Sequence, residues 1–485
     1  MSLPPTQSAA RSPDRTRPPA PGPESAVAMP VFDRFTTAPE TSGTQVFVAA
    51  RAGVPLVELE VLLAAGGEHN PPERPGLAAM TASMIDEGTA RRTGPELSAE
   101  LERRGGSLSC HADWNAARLR LQLLSSDLEY GLALLAELLF EPAFPEHELE
   151  RLRQQTLAEL QRRADQPAAV ADEAFAHHLY AGTIFALPLA GDPAALLALR
   201  RDELLEFHRD HYRLERGALV VAGDVDPERL RAAIAGAFPS SAGARAATLP
   251  EATRAAAVGA TDAASQAGDP ETQARTLRVV VVDRPGAEQT ELRIGHLGVP
   301  RRHPDRVGLG ILNTLLGGKF TSRINLNLRE RHGFTYGASS RFVDRRSCGP
   351  FVVSAAVTTS AIGRAAQEVL GELRRIRAEP VSPGELDETR NYLLGVFPYG
   401  LQTVEGLAAR LDEIALYDLP LDTPARYLAE VAAMRTEELT RLARAYLFPD
   451  QALVVAVGPA EVLMPQLAEL GTPQLWRPPA SAGSA

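Results

Sequence analysis

The chain has 485 residues, of which 45% are hydrophobic and 23% charged, and its formal net charge is -11 with an isoelectric point near 5.5. This length predicts two or three domains, since single domains usually hold about 100–200 residues. The acidic balance and the absence of a dense lysine or arginine stripe disfavour a nucleic-acid partner. No apolar run approaches the roughly 18 residues that span a bilayer, so no membrane span is expected.

Residues 1–43 are predicted to form a disordered tail. The segment up to about Pro30 is rich in Pro, Ser, Ala and Arg and lacks the apolar core of a signal peptide. The compartment is therefore unknown, and a soluble protein of bacterial type in the periplasm or in the cytoplasm stays open. Cys110 and Cys348 form neither a C-x-x-C pair nor a disulfide framework, so they do not identify a compartment either.

The first half opens with strand-like segments and continues with alternating helices and strands. Thr44 to Arg51 and Leu56 to Leu63 are rich in Val and Leu, and the short Ala-Gly connection between them predicts a β-hairpin. One helix is expected after Pro75-Gly76 and another over Glu96 to Arg104. Ala117 to Leu124 alternates polar and apolar side chains, which predicts a half-buried strand.

A helix followed by a buried strand occurs twice, which indicates two homologous domains. Tyr212 with the strand Leu219 to Ala222 recurs as Tyr446 with Leu453 to Ala456. Between them lies a stretch dominated by Ala, Gly, Thr, Ser and Asp, which is typical of a linker. The predicted organisation is a domain over 44–240, a linker over 241–275, a second domain over 276–470 and a flexible tail over 471–485.

Each domain is expected to have an α+β fold, with a mostly antiparallel sheet and helices packed on one face. The linker would let the two domains act as a clamp.

Four stretches of sequence carry a resemblance to a known family: Gly76 to Thr89, the Gly105-Gly106 turn, Gly223 to Pro227, and Leu315 to Arg323 with Leu328-Arg329-Glu330. In this order they resemble the insulinase/pitrilysin zinc peptidases, in the two-domain form of mitochondrial processing peptidase subunits and bacterial relatives, over about residues 44 to 470.

The resemblance places the inverted zinc motif H-x-x-E-H on the first helix, but its two ligand positions here hold Ala79 and Ser83, and its base position holds Ala82. Methyl groups and a single hydroxyl neither bind zinc nor activate a zinc-bound water. The family's third ligand, a Glu on a later helix, is matched by Glu159, whereas a second Glu position falls on Leu152. Because catalytic zinc uses three protein ligands, no metal site is expected in this chain, and Glu159 is interpreted as a solvated helix residue rather than a vestigial ligand.

His208 and His211 are the other metal candidates in the sequence. Their i,i+3 spacing would place both rings on one face of a helix. No Glu at catalytic spacing completes the pair, so both are interpreted as surface or core histidines near a helix end.

Arg329 and Tyr336 form the predicted substrate-binding pair. In the family that the chain resembles, an Arg and a Tyr of the C-terminal domain reach the substrate near the scissile bond. Guanidinium and phenol groups can hold a peptide carbonyl and stabilise the charge that develops on its oxygen. The neighbouring Arg331, His332 and Gly333 are explained by the end of a helix, which leaves Arg329 and Tyr336 free for substrate.

The resemblance implies a non-catalytic, substrate-contacting subunit of a heterodimeric zinc-dependent endopeptidase that degrades or processes peptides. Its partner would be a paralogous subunit with an intact H-x-x-E-H motif, which would supply the zinc, and its substrates would be unfolded peptides. The chain alone is expected to be inactive and able to form a homodimer. The alternative is a peptide-binding or structural scaffold protein of the same fold without a proteolytic role. An active peptidase with another metal set would need ligands that the sequence does not assemble.

Overall fold

The structure is a computed structural model, and it describes residues 29–37, 43–238 and 276–477. The predicted linker over 241–275 and most of the predicted tails over 1–43 and 471–485 lie outside the described residues. Within the described ranges, no helix combines the length and the apolar character needed to cross a membrane.

The first half contains six strands and eight described helices. The strands are β1 Asp33–Thr36, β2 Gln45–Ala50, β3 Leu56–Leu63, β4 Ser107–Ala112, β5 Ala117–Leu124 and β6 Ala218–Gly223. The helices are α1 Leu77–Ser83, α2 Gly94–Arg103, α3 Leu128–Phe140, α4 Glu146–Ala164, α5 Pro167–Leu179, α6 Pro193–Ala198, α7 Arg201–His211 and α8 Pro227–Ala237.

The second half repeats this plan within its described residues. Its strands are β7 Arg278–Asp283, β8 Gln289–Leu297, β9 Ala338–Phe342, β10 Pro350–Thr358, β11 Leu453–Gly458 and β12 Pro473–Trp476. Its helices are α9 Arg306–Asn313, α10 Arg323–Asn325, α11 Ile362–Ala378, α12 Pro383–Val396, α13 Val404–Leu416, α14 Thr423–Ala433, α15 Thr436–Tyr446 and α16 Ala460–Leu467. Two π-helical segments, Thr314–Gly318 and Leu326–Arg331, flank α10.

Five strands of each six-stranded sheet follow the same order, which confirms the internal repeat, and only the edge strands β1 and β12 differ. Sheet 1 runs β1-β2-β6-β3-β5-β4 and sheet 2 runs β12-β7-β11-β8-β10-β9. The repeated buried strands, β6 and β11, each lie between a parallel and an antiparallel neighbour. Most strand pairs in both sheets are antiparallel, as the predicted α+β class requires.

The prediction that the first two strand segments form a β-hairpin is wrong. Both segments are strands, but β6 lies between them and pairs parallel with β2 and antiparallel with β3. Every residue of β6 is buried. A strand with apolar side chains on both faces loses its contact with water only at the centre of a covered sheet, and this burial outweighs the short connection between β2 and β3.

Two short edge strands extend the sheets into the segments expected to be tails. β1 pairs antiparallel with β2, and β12 pairs parallel with β7. Each has four residues. Strands of this length show too few alternations to stand out in the sequence.

Each sheet is covered on one face by a helix from the opposite half. On sheet 1, Leu411 of α13 packs in one core with Phe47 and Val220. On sheet 2, Phe175 of α5 packs with Val455. The opposite faces carry the two larger cores, built with each half's own helices. The expectation of helices on one face therefore describes only these larger cores, and the exchanged helices tie the two halves together.

Candidate functional site

Helix α1 lies where the resemblance predicts the zinc motif. It begins after Gly76, whose φ of 93° favours glycine and whose missing Cβ would come within 2.8 Å of the Ala190 carbonyl oxygen. The helix packs against the edge strand β4 and against α7. Ala82 is fully buried, and Ala79 and Ser83 are half-buried. The motif face is thus filled by small side chains.

Glu159 on α4 interacts with a neighbouring base. The Nε of Arg162 donates to its carboxylate at 2.9 Å, and 44% of the Glu159 side chain is exposed. This is a solvated i,i+3 ion pair. In the part of the chain that the structure describes, no group of three His, Cys, Asp or Glu residues is placed to hold a metal. The residues on and around α1 therefore do not fit a catalytic zinc, which needs three such ligands.

His208 and His211 both lie on α7, but their side chains have different contacts. Nε2 of His208 lies 3.0 Å from the carbonyl oxygen of Leu139, and its ring packs against Phe144. The ring of His211 stacks on His69 with 4.9 Å between centroids. Burial lowers the pKa of both to about 4, so both are neutral near pH 7. They behave as packed histidines, and they do not converge on one point.

Arg329 lies in the π-helical segment Leu326–Arg331, a rare helical form that is frequent at functional sites. Its guanidinium carbon is 3.8 Å from the centroid of the Phe320 ring. Its Nη2 lies 2.6 Å from Oε1 of Glu330. A cation–π contact and one exposed acidic neighbour therefore hold the guanidinium at the surface, where it remains partly accessible.

Tyr336 projects from the connection between this π-helical segment and β9, and its side chain is 90% exposed. It makes no hydrogen bond or ring contact with any residue of the described ranges. Phe320, at 67% exposure, and Leu326 are also exposed beside Arg329. Neither apolar residue was predicted from the sequence to belong to the site. Their signal was a pair of large apolar side chains on either side of α10, close to the predicted Arg329.

Strand β4 leaves one backbone edge free among the described strands, because it pairs only with β5. Unpaired backbone groups at such an edge can accept an extended peptide as an added strand. Since α1 packs against β4, a peptide added there would run beside the helix that carries Ala79 and Ser83.

A buried cluster of charges lies between α13 and sheet 1, where the two halves meet. Arg118 donates to Asp412 at 2.9 Å and to Asp113 at 2.7 Å. Arg120 lies 2.8 Å from the fully buried Glu60. Burial and, second, the charge of Asp412 raise the pKa of Glu60 to about 8. The cluster orients the halves through paired charges and holds one carboxyl group protonated at neutral pH.

A second set of contacts joins the halves beside the β4–β5 turn. The guanidinium carbon of Arg345 lies 4.7 Å from the ring centroid of Phe185, 4.9 Å from that of Tyr180 and 5.3 Å from that of Trp114. The hydroxyl of Tyr180 donates to the carbonyl oxygen of Cys348 at 2.8 Å. The free edge of β4 is therefore held in a fixed position relative to the second half.

Comparison with known proteins gives consistent matches along the chain. The family model "Insulinase (Peptidase family M16)" matches residues 46–192, and "Peptidase M16 inactive domain" matches residues 198–393. The chain is 23% identical over 398 residues to an uncharacterized zinc protease of Streptomyces coelicolor, covering 81% of this chain and 83% of that protein. It is 23% identical over 446 residues to a probable mitochondrial-processing peptidase subunit beta of Arabidopsis thaliana, covering 89% of this chain and 79% of that protein.

A solved structure supports the same fold. The crystal structure of a peptidase M16 inactive domain from Pseudomonas fluorescens has a TM-score of 0.76 at 23% identity, covering 88% of this chain and 98% of that chain. The two family models together match more than half of the 485 residues, and the repeated sheets give the architecture that the sequence resemblance predicts. The protein therefore belongs to peptidase family M16, the insulinase family.

Proposed function

We propose that the protein is the non-catalytic, substrate-contacting subunit of a heterodimeric zinc-dependent endopeptidase that degrades or processes peptides. The observation that carries the proposal is α1, which presents Ala79, Ala82 and Ser83 where a catalytic helix presents two ligands and a base. A paralogous subunit with an intact H-x-x-E-H motif would supply both the zinc and the glutamate base.

Arg329 and Tyr336 would act on the substrate of that partner. The Phe320 ring limits the motion of the Arg329 guanidinium and leaves its donors accessible beside Glu330. Guanidinium and phenol donors can hold a peptide carbonyl and stabilise the negative charge that develops on its oxygen during hydrolysis. Neither group needs a change of protonation state for this task.

Two further features support peptide binding. The free edge of β4 can bind an extended backbone, and backbone hydrogen bonds give affinity without strict sequence preference. Phe320, Leu326 and Tyr336 offer exposed apolar surface for side chains. This combination suits unfolded peptides of varied sequence.

The first experiment measures cleavage of an unfolded peptide by the chain alone with added zinc, by an H-x-x-E-H paralogue alone, and by their mixture. Activity that appears, or rises strongly, only in the mixture is the expected result. Cleavage by the chain alone would contradict the proposal, because it would require a metal site that α1 does not offer. A mixture no more active than the paralogue alone would also contradict it.

The second experiment replaces Arg329 by Ala and Tyr336 by Phe in the mixture. Loss of one donor to a developing oxyanion costs about 10²–10³-fold in turnover, and a fall of that order is expected for Arg329→Ala. Assembly and the zinc content of the partner should stay unchanged. Arg331→Ala and Tyr399→Phe are matched controls, because Arg331 is exposed in the same π-helical segment and Tyr399 is exposed elsewhere. Unchanged turnover in both site variants would refute the assigned roles.

The alternative function is a peptide-binding or scaffold protein without a proteolytic role. It is favoured by one observation: the free edge of β4 and the exposed Phe320 and Tyr336 all belong to this chain and need no second subunit. Fluorescence anisotropy of a labelled unfolded peptide with the chain alone tests it. Saturable binding together with a mixture that cleaves no faster than the paralogue would establish this alternative, whereas absence of binding would exclude it.

A further inference from the structure

A cavity of about 310 Å³ opens at the end of sheet 1 near the last turn of α13. Phe47 of β2, Leu62 of β3 and Ala218 of β6 contribute apolar side chains to its lining. The cavity is larger than an inorganic phosphate needs, and it falls at the lower end of the range of about 300–1,000 Å³ for small-molecule sites.

Three arginines from separate parts of the chain line this cavity: Arg34 of β1, Arg216 before β6, and Arg346 in the β9–β10 connection. The guanidinium carbon of Arg34 lies 5.8 Å from the centroid of the Phe47 ring. The guanidinium groups of Arg216 and Arg346 form no hydrogen bond or ion pair with any residue in 29–37, 43–238 or 276–477. These cations therefore meet around one cavity without a bound counter-charge.

The nearby carboxylates balance only part of this charge. Asp418 lines the cavity, but its carboxylate already lies 3.4 Å from Arg302. Glu68 accepts a hydrogen bond from Nδ2 of Asn115 at 3.0 Å, and burial raises its pKa to about 7, so it carries only part of a charge near neutral pH. Arg346 lies within electrostatic reach of Glu68, and it also repels Arg216.

We propose that this cavity binds a phosphate-bearing small molecule. The phosphate lies between Arg216 and Arg346, and an apolar or aromatic group of the ligand contacts the apolar lining formed by Phe47, Leu62 and Ala218. The planar guanidinium fork matches phosphate oxygens in bidentate fashion. A multivalent anion fits better than a monocarboxylate, because attraction to several cations grows with ligand charge. This site does not depend on the proposed peptidase function, since it uses none of the residues assigned to peptide or zinc chemistry.

Isothermal titration of the full chain with pyrophosphate, AMP and adenosine tests the proposal. Saturable binding of one pyrophosphate or one AMP per chain, with no binding of adenosine, is the expected result. Tighter binding of AMP than of pyrophosphate would assign the ligand to organic phosphates, and the reverse order would assign it to free polyphosphate. Absence of saturable binding by both phosphates would overturn the proposal.

Variants that each remove one positive charge distinguish a specific binding site from nonspecific electrostatic attraction of an anion. Arg216→Gln and Arg346→Gln should each weaken binding by about tenfold, the effect of losing one charge-assisted contact. Arg103→Gln, at the exposed end of α2, removes the same charge elsewhere and should leave binding unchanged. Both cavity variants should nearly keep the thermal stability of the unliganded protein, because these guanidinium groups form no hydrogen bond or ion pair within the described part of the chain. Equal weakening in Arg103→Gln, or none in the cavity variants, would overturn the proposal.

Discussion

The wild-type protein should become less stable as the pH rises, because Glu60 ionises, and the substitution Glu60→Gln should abolish this decrease. Glu60 is fully buried under α13, where Arg120 lies 2.8 Å from its Oε2 and Arg118 lies 3.5 Å from its Oε1. Burial raises its pKa from 4.5 to about 8, and Asp412 adds to the increase. Gln has the shape of the protonated carboxyl group but cannot ionise.

The sign follows from the raised pKa of the folded state. Between 4.5 and about 8 the folded protein keeps a proton that the unfolded chain has lost, so folding is favoured at low pH and loses this contribution as the pH rises. The slope approaches about 1.4 kcal/mol per pH unit, and over the whole interval the upper limit is about 5 kcal/mol. Between pH 6 and pH 8.5 the stability of the wild type relative to Glu60→Gln should fall by about 2.5 kcal/mol.

Urea unfolding of both proteins at several pH values measures this difference, and hydrogen exchange of α13 shows whether the loss is local. Glu102→Gln serves as the control, because Glu102 is an exposed residue of α2. The control should follow the wild type at every pH. Parallel pH profiles for wild type and Glu60→Gln, or a wild type that gains relative stability at high pH, would refute the reasoning.

Two further predictions concern the same face of sheet 1. Arg118→Met should destabilise the protein by about 3–5 kcal/mol, because it leaves Asp113 and Asp412 without their shared cation. Arg162→Met, which removes the exposed partner of Glu159, should cost less than about 1 kcal/mol in the same urea experiment, and similar costs for both would contradict the role of the buried cluster. Leu411→Ala should cost about 2–5 kcal/mol, because Leu411 is fully buried between α13 and sheet 1. Faster hydrogen exchange should be centred on α13 and its neighbours, and unchanged exchange there would show that α13 does not depend on this contact.

Strand β5 shows which features could be predicted from the sequence and which could not. Alternation of Arg118 and Arg120 with leucines predicted a half-buried strand, and β5 has the predicted bounds, Ala117–Leu124, with Leu119, Leu121 and Leu123 in the core. The other face was expected to meet solvent. Instead Arg118 is buried on that face, where it pairs with Asp412 of α13 from the second half. Local alternation predicts a strand, but it does not reveal what lies above each face.

The features of the candidate site also fall into two groups, those that could be predicted from the sequence and those that only the structure reveals. That Ala79, Ala82 and Ser83 offer no zinc ligand or base was evident from residue types alone, since ligand chemistry depends on the side chain itself. The contact of Arg329 with Phe320 depends on how the two π-helical segments fold around α10, and no periodicity in the sequence predicts it. The same applies to the arginines around the cavity, which are distant in sequence.

The sequence by itself determined the internal repeat, the α+β class and the absence of zinc-binding side chains at Ala79, Ala82 and Ser83, because each is a property of local pattern or of residue chemistry. The tertiary structure alone decided the insertion of β6 between β2 and β3 and the exchange of α5 and α13 between the halves. It also decided the burial of Glu60 beside Asp412. These features arise where apolar faces from distant segments remove each other from water, and the partner of such a face is fixed only when the whole chain packs.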